Sequence, residues 1–133
     1  MRTISILLFA FLLSASAYAQ GETVSLAIIG LKLSAKKLYS EYDRNEIAAD
    51  AKYKGKTVIV TGTIDDIGID IGGDPYIVLL GGSGFLESVE CVFPESKKAS
   101  LIHLSKGHKI TVKGTVEGLL GAVQIGDAEL LKR

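Results

Sequence analysis

The sequence predicts a mainly β chain closed into a small barrel, and two observations carry that prediction. The first is an internal repeat. Lys54-Gly55-Lys56-Thr57-Val58-Ile59-Val60-Thr61-Gly62-Thr63-Ile64 aligns without a gap on Lys106-Gly107-His108-Lys109-Ile110-Thr111-Val112-Lys113-Gly114-Thr115-Val116. Each copy reads as a turn, a strand of alternating polarity and a glycine inside that strand. A glycine in such a place weakens a strand unless the strand must bend or bulge. The second observation is the order of the remaining segments: three further strand-like runs, with one helical stretch between the third and fourth strands.

The elements follow in order. Val24 to Leu33 is apolar and interrupted by Gly30, compatible with a short strand, a docking segment or a linker. Ser34 suits the N-cap of a helix running through Tyr42, with Leu38 and Tyr42 four apart on one face. Lys37 and Glu41 are also four apart and can pair, in the less favoured orientation. Asn45 can cap a second helical stretch, Glu46 to Lys52, with Ile47, Ala48 and Ala51 as its apolar stripe. Gly55 ends the helical region. In the first repeat strand Val58, Val60, Gly62 and Ile64 share one face, and Thr57, Ile59, Thr61 and Thr63 the other. The acidic, glycine-rich stretch Asp65 to Asp74 is expected to be a loop. Pro75 fits the start of a strand, where its missing N–H is harmless. Tyr76 to Leu80 and Ser88 to Phe93 are strands around the turn region Gly81 to Gly84. Glu95 to Leu104 reads as a helix with Leu101 and Leu104 inward. The second repeat strand, His108 to Glu117, turns between Gly118 and Gly121 into a last strand, Ala122 to Leu131. The order β-β-β-α-β-β with a helical lead-in is that of the OB-fold, a five-stranded Greek-key barrel. In that topology the repeat strands pair antiparallel, which brings Lys106 and Lys109 toward Asp65 and Asp66.

The N-terminus has the pattern of an export signal. Arg2 gives a positive start, Ile4 to Leu13 an apolar run about half the ~20 residues that span a bilayer, and Ala17-Tyr18-Ala19 a cleavage site before Gln20. The expected organisation is a cleaved signal over 1–19, an extension with helical segments over 20–52 and the barrel over 53–133. After cleavage the chain would be periplasmic or secreted, with no transmembrane segment. Cys91 is the one cysteine, so no intramolecular disulfide forms, and it lies too far from the cleavage point to carry a lipid. Val89 and Phe93 share its face, which points to a buried, inert thiol. Fifteen basic and fifteen acidic residues cancel. Phosphate neutralisation supplies most of the affinity of nucleic-acid binders, so this balance counts against nucleic acid as the partner.

The run Tyr42-Asp43-Arg44-Asn45-Glu46-Ile47-Ala48-Ala49-Asp50-Ala51-Lys52-Tyr53-Lys54-Gly55-Lys56, followed by Val60-Thr61-Gly62, resembles the signature of the tRNA_anti-like family. Val89-Glu90-Cys91-Val92-Phe93 and Leu104-x-Lys106-Gly107-x-x-Ile110-Thr111-Val112-x-Gly114 match it further along. The resemblance implies an exported bacterial OB-fold protein from a family in which many members are assigned as lipoproteins. It brings no catalytic residues. The family's name reflects likeness to anticodon-binding OB domains and does not establish tRNA binding. This chain has no lipobox cysteine, which implies a soluble exported form.

OB-folds bind ligands on the face of their second and third strands. Here the outward residues there would be Tyr76, Val78, Glu90 and Val92. Single-strand binders interleave stacking aromatics with basic residues; this face offers one aromatic, and Glu90 has the wrong sign for phosphate. Asp66, Asp70 and Asp74 are candidate cation ligands, although their four-residue spacing is not that of an EF-hand and a solvated hairpin loop explains them as well. Lys52, Lys54, Lys56, Lys106, Lys109 and Lys113 would be divided between two ends of the barrel, where charged strand edges discourage aggregation. His103 near a helix C-terminus is favoured by the dipole, and His108 replaces Lys56 of the first repeat. Neither has a nucleophile or metal partner at a recognisable spacing. The expectation is a non-enzymatic, cofactor-free binding module for a small molecule, a glycan or an envelope protein, with nucleic acid as the alternative. An envelope partner could dock on Leu38, Tyr39 and Tyr42 of the lead-in helix.

Overall fold

A computed structural model describes residues 30–133; the export-signal pattern and residues 24–29 lie outside them. The described elements are β1 (Leu31–Ser34), α1 (Ala35–Arg44), α2 (Glu46–Tyr53), β2 (Thr57–Ile69), β3 (Pro75–Leu80), β4 (Ser88–Val92), a 3-10 helix (Glu95–Leu101), β5 (Lys109–Leu120) and β6 (Ala122–Lys132). The sheet runs β1-β2-β3-β4-β6-β5, and β5 returns to β2 to close a five-stranded barrel. β1 pairs parallel with Val58 to Thr61, a sixth strand laid along β2.

The repeats form the seam of this barrel. β2 and β5 are antiparallel, and Val60 stands opposite Val112, its own repeat equivalent. Gly62 therefore faces Ile110, and Gly114 faces Val58, in a locally symmetric pair. Thr61 and Thr111 also face each other, their hydroxyls 3.0 Å apart. The glycines are needed for space inside the barrel. A Cβ on Gly62 would lie 3.0 Å from the Ala35 Cβ and 3.1 Å from the Leu79 Cβ. One on Gly114 would run into Ile125 and lie 2.9 Å from the Gly126 carbonyl oxygen.

Two predicted segments differ in kind. Asp65 to Ile69 is strand, not loop: β2 continues to Ile69 and pairs with β3, and the loop is confined to residues 70–74. A bulge between Ile64 and Asp66 adds a residue, so Ile67 packs on the core where strict alternation would place Asp66. The segment after Pro94 is a 3-10 helix. It ends at Leu101, short of the predicted Leu104, and a turn in which the Leu104 N–H donates to the Leu101 carbonyl at 3.1 Å follows it; both leucines are buried. β5 also runs on to Leu120, leaving Gly121, at φ +72, as the turn into β6.

The lead-in helices begin as expected. The Ser34 hydroxyl accepts from the Lys37 N–H at 3.1 Å, and Asn45 Oδ1 accepts from the Ala48 N–H at 3.0 Å. The inner face of α2 is the reverse of the predicted one. Ala49 and Tyr53 are buried, whereas Ile47 is 84% exposed. In α1 Ala35, Leu38 and Tyr42 join the same core as Val60, Leu79 and Ile125. Tyr39 lies against Gly81 beyond the end of β3. α1 thus stoppers one end of the barrel, and residues 31–133 form one compact unit. Cys91 is fully buried, and that burial pushes its thiol up to about 12. Among the described residues no helix is long and apolar enough to cross a membrane.

Candidate functional site

The outer face of β3 and β4 is built by register. Tyr76 stands opposite Val92, and Val78 opposite Glu90. β2 adds Gly68 beside Tyr76 and Asp66 beside Val78, and β6 adds Gln124 beside Glu90. Their alternate neighbours Ile77, Leu79, Val89 and Cys91 point inward and are fully buried, which fixes the outward direction of this set. Tyr76, Val78, Glu90, Val92 and Gln124 are all half-buried. Because Leu38 and Tyr42 of α1 are turned into the core, the helix does not cover this face, and it is not available there as an outward contact surface either.

Tyr76 does not stand up from the sheet as a free stacking platform. Gly68 has no side chain, and the phenol ring lies over it: a Cβ there would sit 2.6 Å from Tyr76 Cζ. The Tyr76 hydroxyl donates to Asp66 Oδ2 at 3.4 Å, and Lys106 Nζ approaches Asp66 Oδ1 at 3.0 Å. The lysine's hydrogen bond holds the Asp66 carboxyl below its usual range, and the Asp66 charge in turn raises the Tyr76 phenol. The juxtaposition of Lys106 with Asp66 follows from antiparallel pairing of the repeats. On the far side Gln124 donates to the Ala122 carbonyl at 3.3 Å, within its own turn. The result is a low apolar strip of Val78, Val92 and the Tyr76 ring, edged by carboxylates and an amide.

Two of the three candidate cation ligands, Asp66 and Asp70, have their carboxylates engaged separately, and Asp74 contributes its backbone N–H. Asp66 is held by Lys106 and Tyr76. Asp70 Oδ1 accepts from the N–H groups of Gly72 at 2.8 Å and Asp74 at 3.0 Å, which closes the hairpin tip. Among the described residues no group of three or more His, Cys, Asp or Glu is arranged to hold a metal ion.

The signature run from Tyr42 to Lys56 builds a different feature, a clasp between α1 and α2. Tyr42 donates to Asp50 Oδ1 at 2.9 Å, and the Tyr53 hydroxyl donates to Glu41 Oε2. Lys52 Nζ is 2.9 Å from Glu41 Oε1, while Lys37 is 3.8 Å away. The hydrogen bonds from Tyr53 and then Lys52 hold the buried Glu41 carboxyl below its usual range. Burial, then Asp50, pushes the Tyr42 phenol well above its own. The i, i+4 spacing gave the Lys37–Glu41 pair; nothing in the spacing singled out Tyr53 as the principal partner.

The closed five-stranded barrel with a helix before its fourth strand is an OB-fold, a frame on which proteins display binding surfaces. The chain belongs to the tRNA_anti-like family, whose model matches residues 3–128. It is similar in structure to a protein of Klebsiella pneumoniae subsp. pneumoniae MGH 78578 named "putative nucleic acid-binding lipoprotein", with TM-score 0.64 and 21% identity over 84% of this chain and 97% of that one. It is also similar to a "putative aspartyl-tRNA synthetase" of Leishmania major Friedlin, with TM-score 0.52 and 12% identity over 78% of this chain and 21% of that one. No curated protein sequence matches the chain significantly.

Proposed function

We propose that this protein is a non-enzymatic, exported OB-fold binding module whose ligand, a small molecule, a glycan or an envelope protein, lies on the outer face of β3 and β4. One observation carries the proposal: Tyr76, Val78 and Val92 form a partly exposed apolar strip, with Glu90 as an acceptor at its edge, left uncovered by α1. Such a strip suits the apolar faces and hydroxyl donors of a sugar, or a peptide segment, better than a phosphate backbone. The one lysine at its edge, Lys106, is already paired with Asp66. Export is supported by the segment from Arg2 to Ala19. Release without a lipid anchor is supported by the burial of the chain's one cysteine, Cys91, inside the barrel.

Nucleic acid is the second candidate, and the name of the similar Klebsiella protein favours it. An NMR titration of the chain from Gln20 onward separates the two. Envelope glycan fragments or peptides are expected to shift the amides of Tyr76, Val78 and Glu90, and Tyr76→Ala to abolish those shifts. A single-stranded oligonucleotide that shifts them instead, with affinity falling steeply as salt rises, overturns the proposal in favour of nucleic acid.

A further inference from the structure

The lysines of the chain are not equally occupied. Lys52, Lys54 and Lys106 are paired with Glu41, Asp50 and Asp66 respectively. At the barrel end where β5 begins and β6 finishes, basic side chains gather without such partners. His103, His108, Lys109 and Arg133 line one depression of about 310 Å³. His103 and Arg133 also line an adjoining one of about 320 Å³, together with Lys132. No carboxylate side chain lines either, and none of these five basic residues is in a salt bridge among the described residues. Each depression matches the lower end of ligand-pocket sizes, roughly 300–1,000 Å³.

The backbone fixes two of these residues, His108 and Lys109, in place. The His108 carbonyl accepts from the Ile64 N–H at 2.9 Å, and Lys109 is paired with Thr63 across the seam. His108 Nδ1 accepts from the Ser105 N–H at 3.3 Å, so in the neutral ring Nε2 carries the proton and is the nitrogen left to donate. Ser100 does not compete, because its hydroxyl donates to the Lys97 carbonyl at 2.6 Å. The ammonium groups of Lys109 and Lys132 and the imidazole N–H groups supply donors and charge, which matches a compact, acceptor-rich anion.

We propose that this end of the barrel is a second binding site, separate from the β3–β4 face, that takes the phosphate group of a small molecule. Inorganic pyrophosphate is the probe, titrated calorimetrically at low salt into the chain from Gln20 onward. Saturable binding is expected, weakened roughly tenfold or more in a His103→Gln, Lys109→Ala double variant, because charge-assisted hydrogen bonds to phosphate are lost. Both positions are exposed, and unchanged circular dichroism confirms that the variant is folded. Tyr76→Ala is expected to leave pyrophosphate binding intact, which separates this site from the β3–β4 face. Absent pyrophosphate binding, or binding unchanged in the double variant, overturns the proposal. So does association only with phosphatidylglycerol vesicles or only with an oligonucleotide, since each would assign the charge to a polymer or lipid surface.

Discussion

At the scale of single residues, Glu41 shows how burial changes what a charge does. On the helix surface its pairing with Lys37 would contribute a few tenths of a kcal/mol. Buried between α1 and α2, it instead accepts from Tyr53 and Lys52. Its carboxyl is held below the ordinary value of 4.5. The folded state therefore holds this stabilisation above that pH and loses it progressively as pH falls below it. Glu41→Gln is expected to lower stability at pH 7 by about 1.5–3 kcal/mol, the range for hydrogen bonds to a charged group. It should also flatten the loss of stability on acidification, and urea unfolding at pH 7 and at successively lower pH measures both. The unmodified chain losing no more stability than the variant below 4.5 would show that Glu41 does not couple folding to protons.

At the scale of elements, Asn45 is shared by two helices. Its backbone N–H closes α1 by donating to the Glu41 carbonyl at 3.1 Å, and its side chain opens α2. The two short helices stand at an angle set by this one residue and held by the Tyr42–Asp50 and Tyr53–Glu41 contacts. Asn45→Ala removes only the side-chain cap and is expected to cost about 1 kcal/mol, with a lower Tm by circular dichroism. Asn45→Asp keeps an acceptor at the cap and should recover most of the loss. Both caps were legible because Ser and Asn at a helix start have a local cause. The buried stripe of α2 was not. Ile47 is its most apolar residue and sits outward, because α2 docks through Ala49 and the ring of Tyr53, whose hydroxyl reaches a carboxylate. Hydropathy alone ranks a tyrosine below an isoleucine and cannot register that partner.

At the scale of the molecule, the repeat is a closure device. Strands β2 and β5 meet about the Val60–Val112 pair, and each supplies a glycine where a side chain would strike the opposite wall. Gly62 has side-chain neighbours, Ala35 and Leu79, whereas Gly114 also has the Gly126 carbonyl, which is backbone and cannot move aside. Overpacking of a core costs about 1–3 kcal/mol. Gly114→Ala is expected at or above the top of that range and Gly62→Ala within it, compared by chemical denaturation. Equal costs would mean that backbone rigidity at Gly126 is not what sets the difference.

The sequence by itself determined the order of the five barrel strands along the chain and both helix caps, since these rest on local periodicity and on residues near one another; the seam followed only from the topology of the fold they indicate, and the family from its signature run. The outward set Tyr76, Val78 and Glu90 was legible for the same reason, because side chains alternate along a strand. Tertiary structure alone decided the rest. The bulge at Asp65 reverses the phase of β2, so a period of two could not be followed through the acidic stretch. Leu38 and Tyr42 are the inner stopper of the barrel, a choice that depends on the open barrel end waiting for them. His103, His108 and Lys109 lie close together in the chain, but it is the antiparallel pairing of β6 on β5 that brings Lys132 and Arg133 beside them, a contact that spacing along the chain does not record.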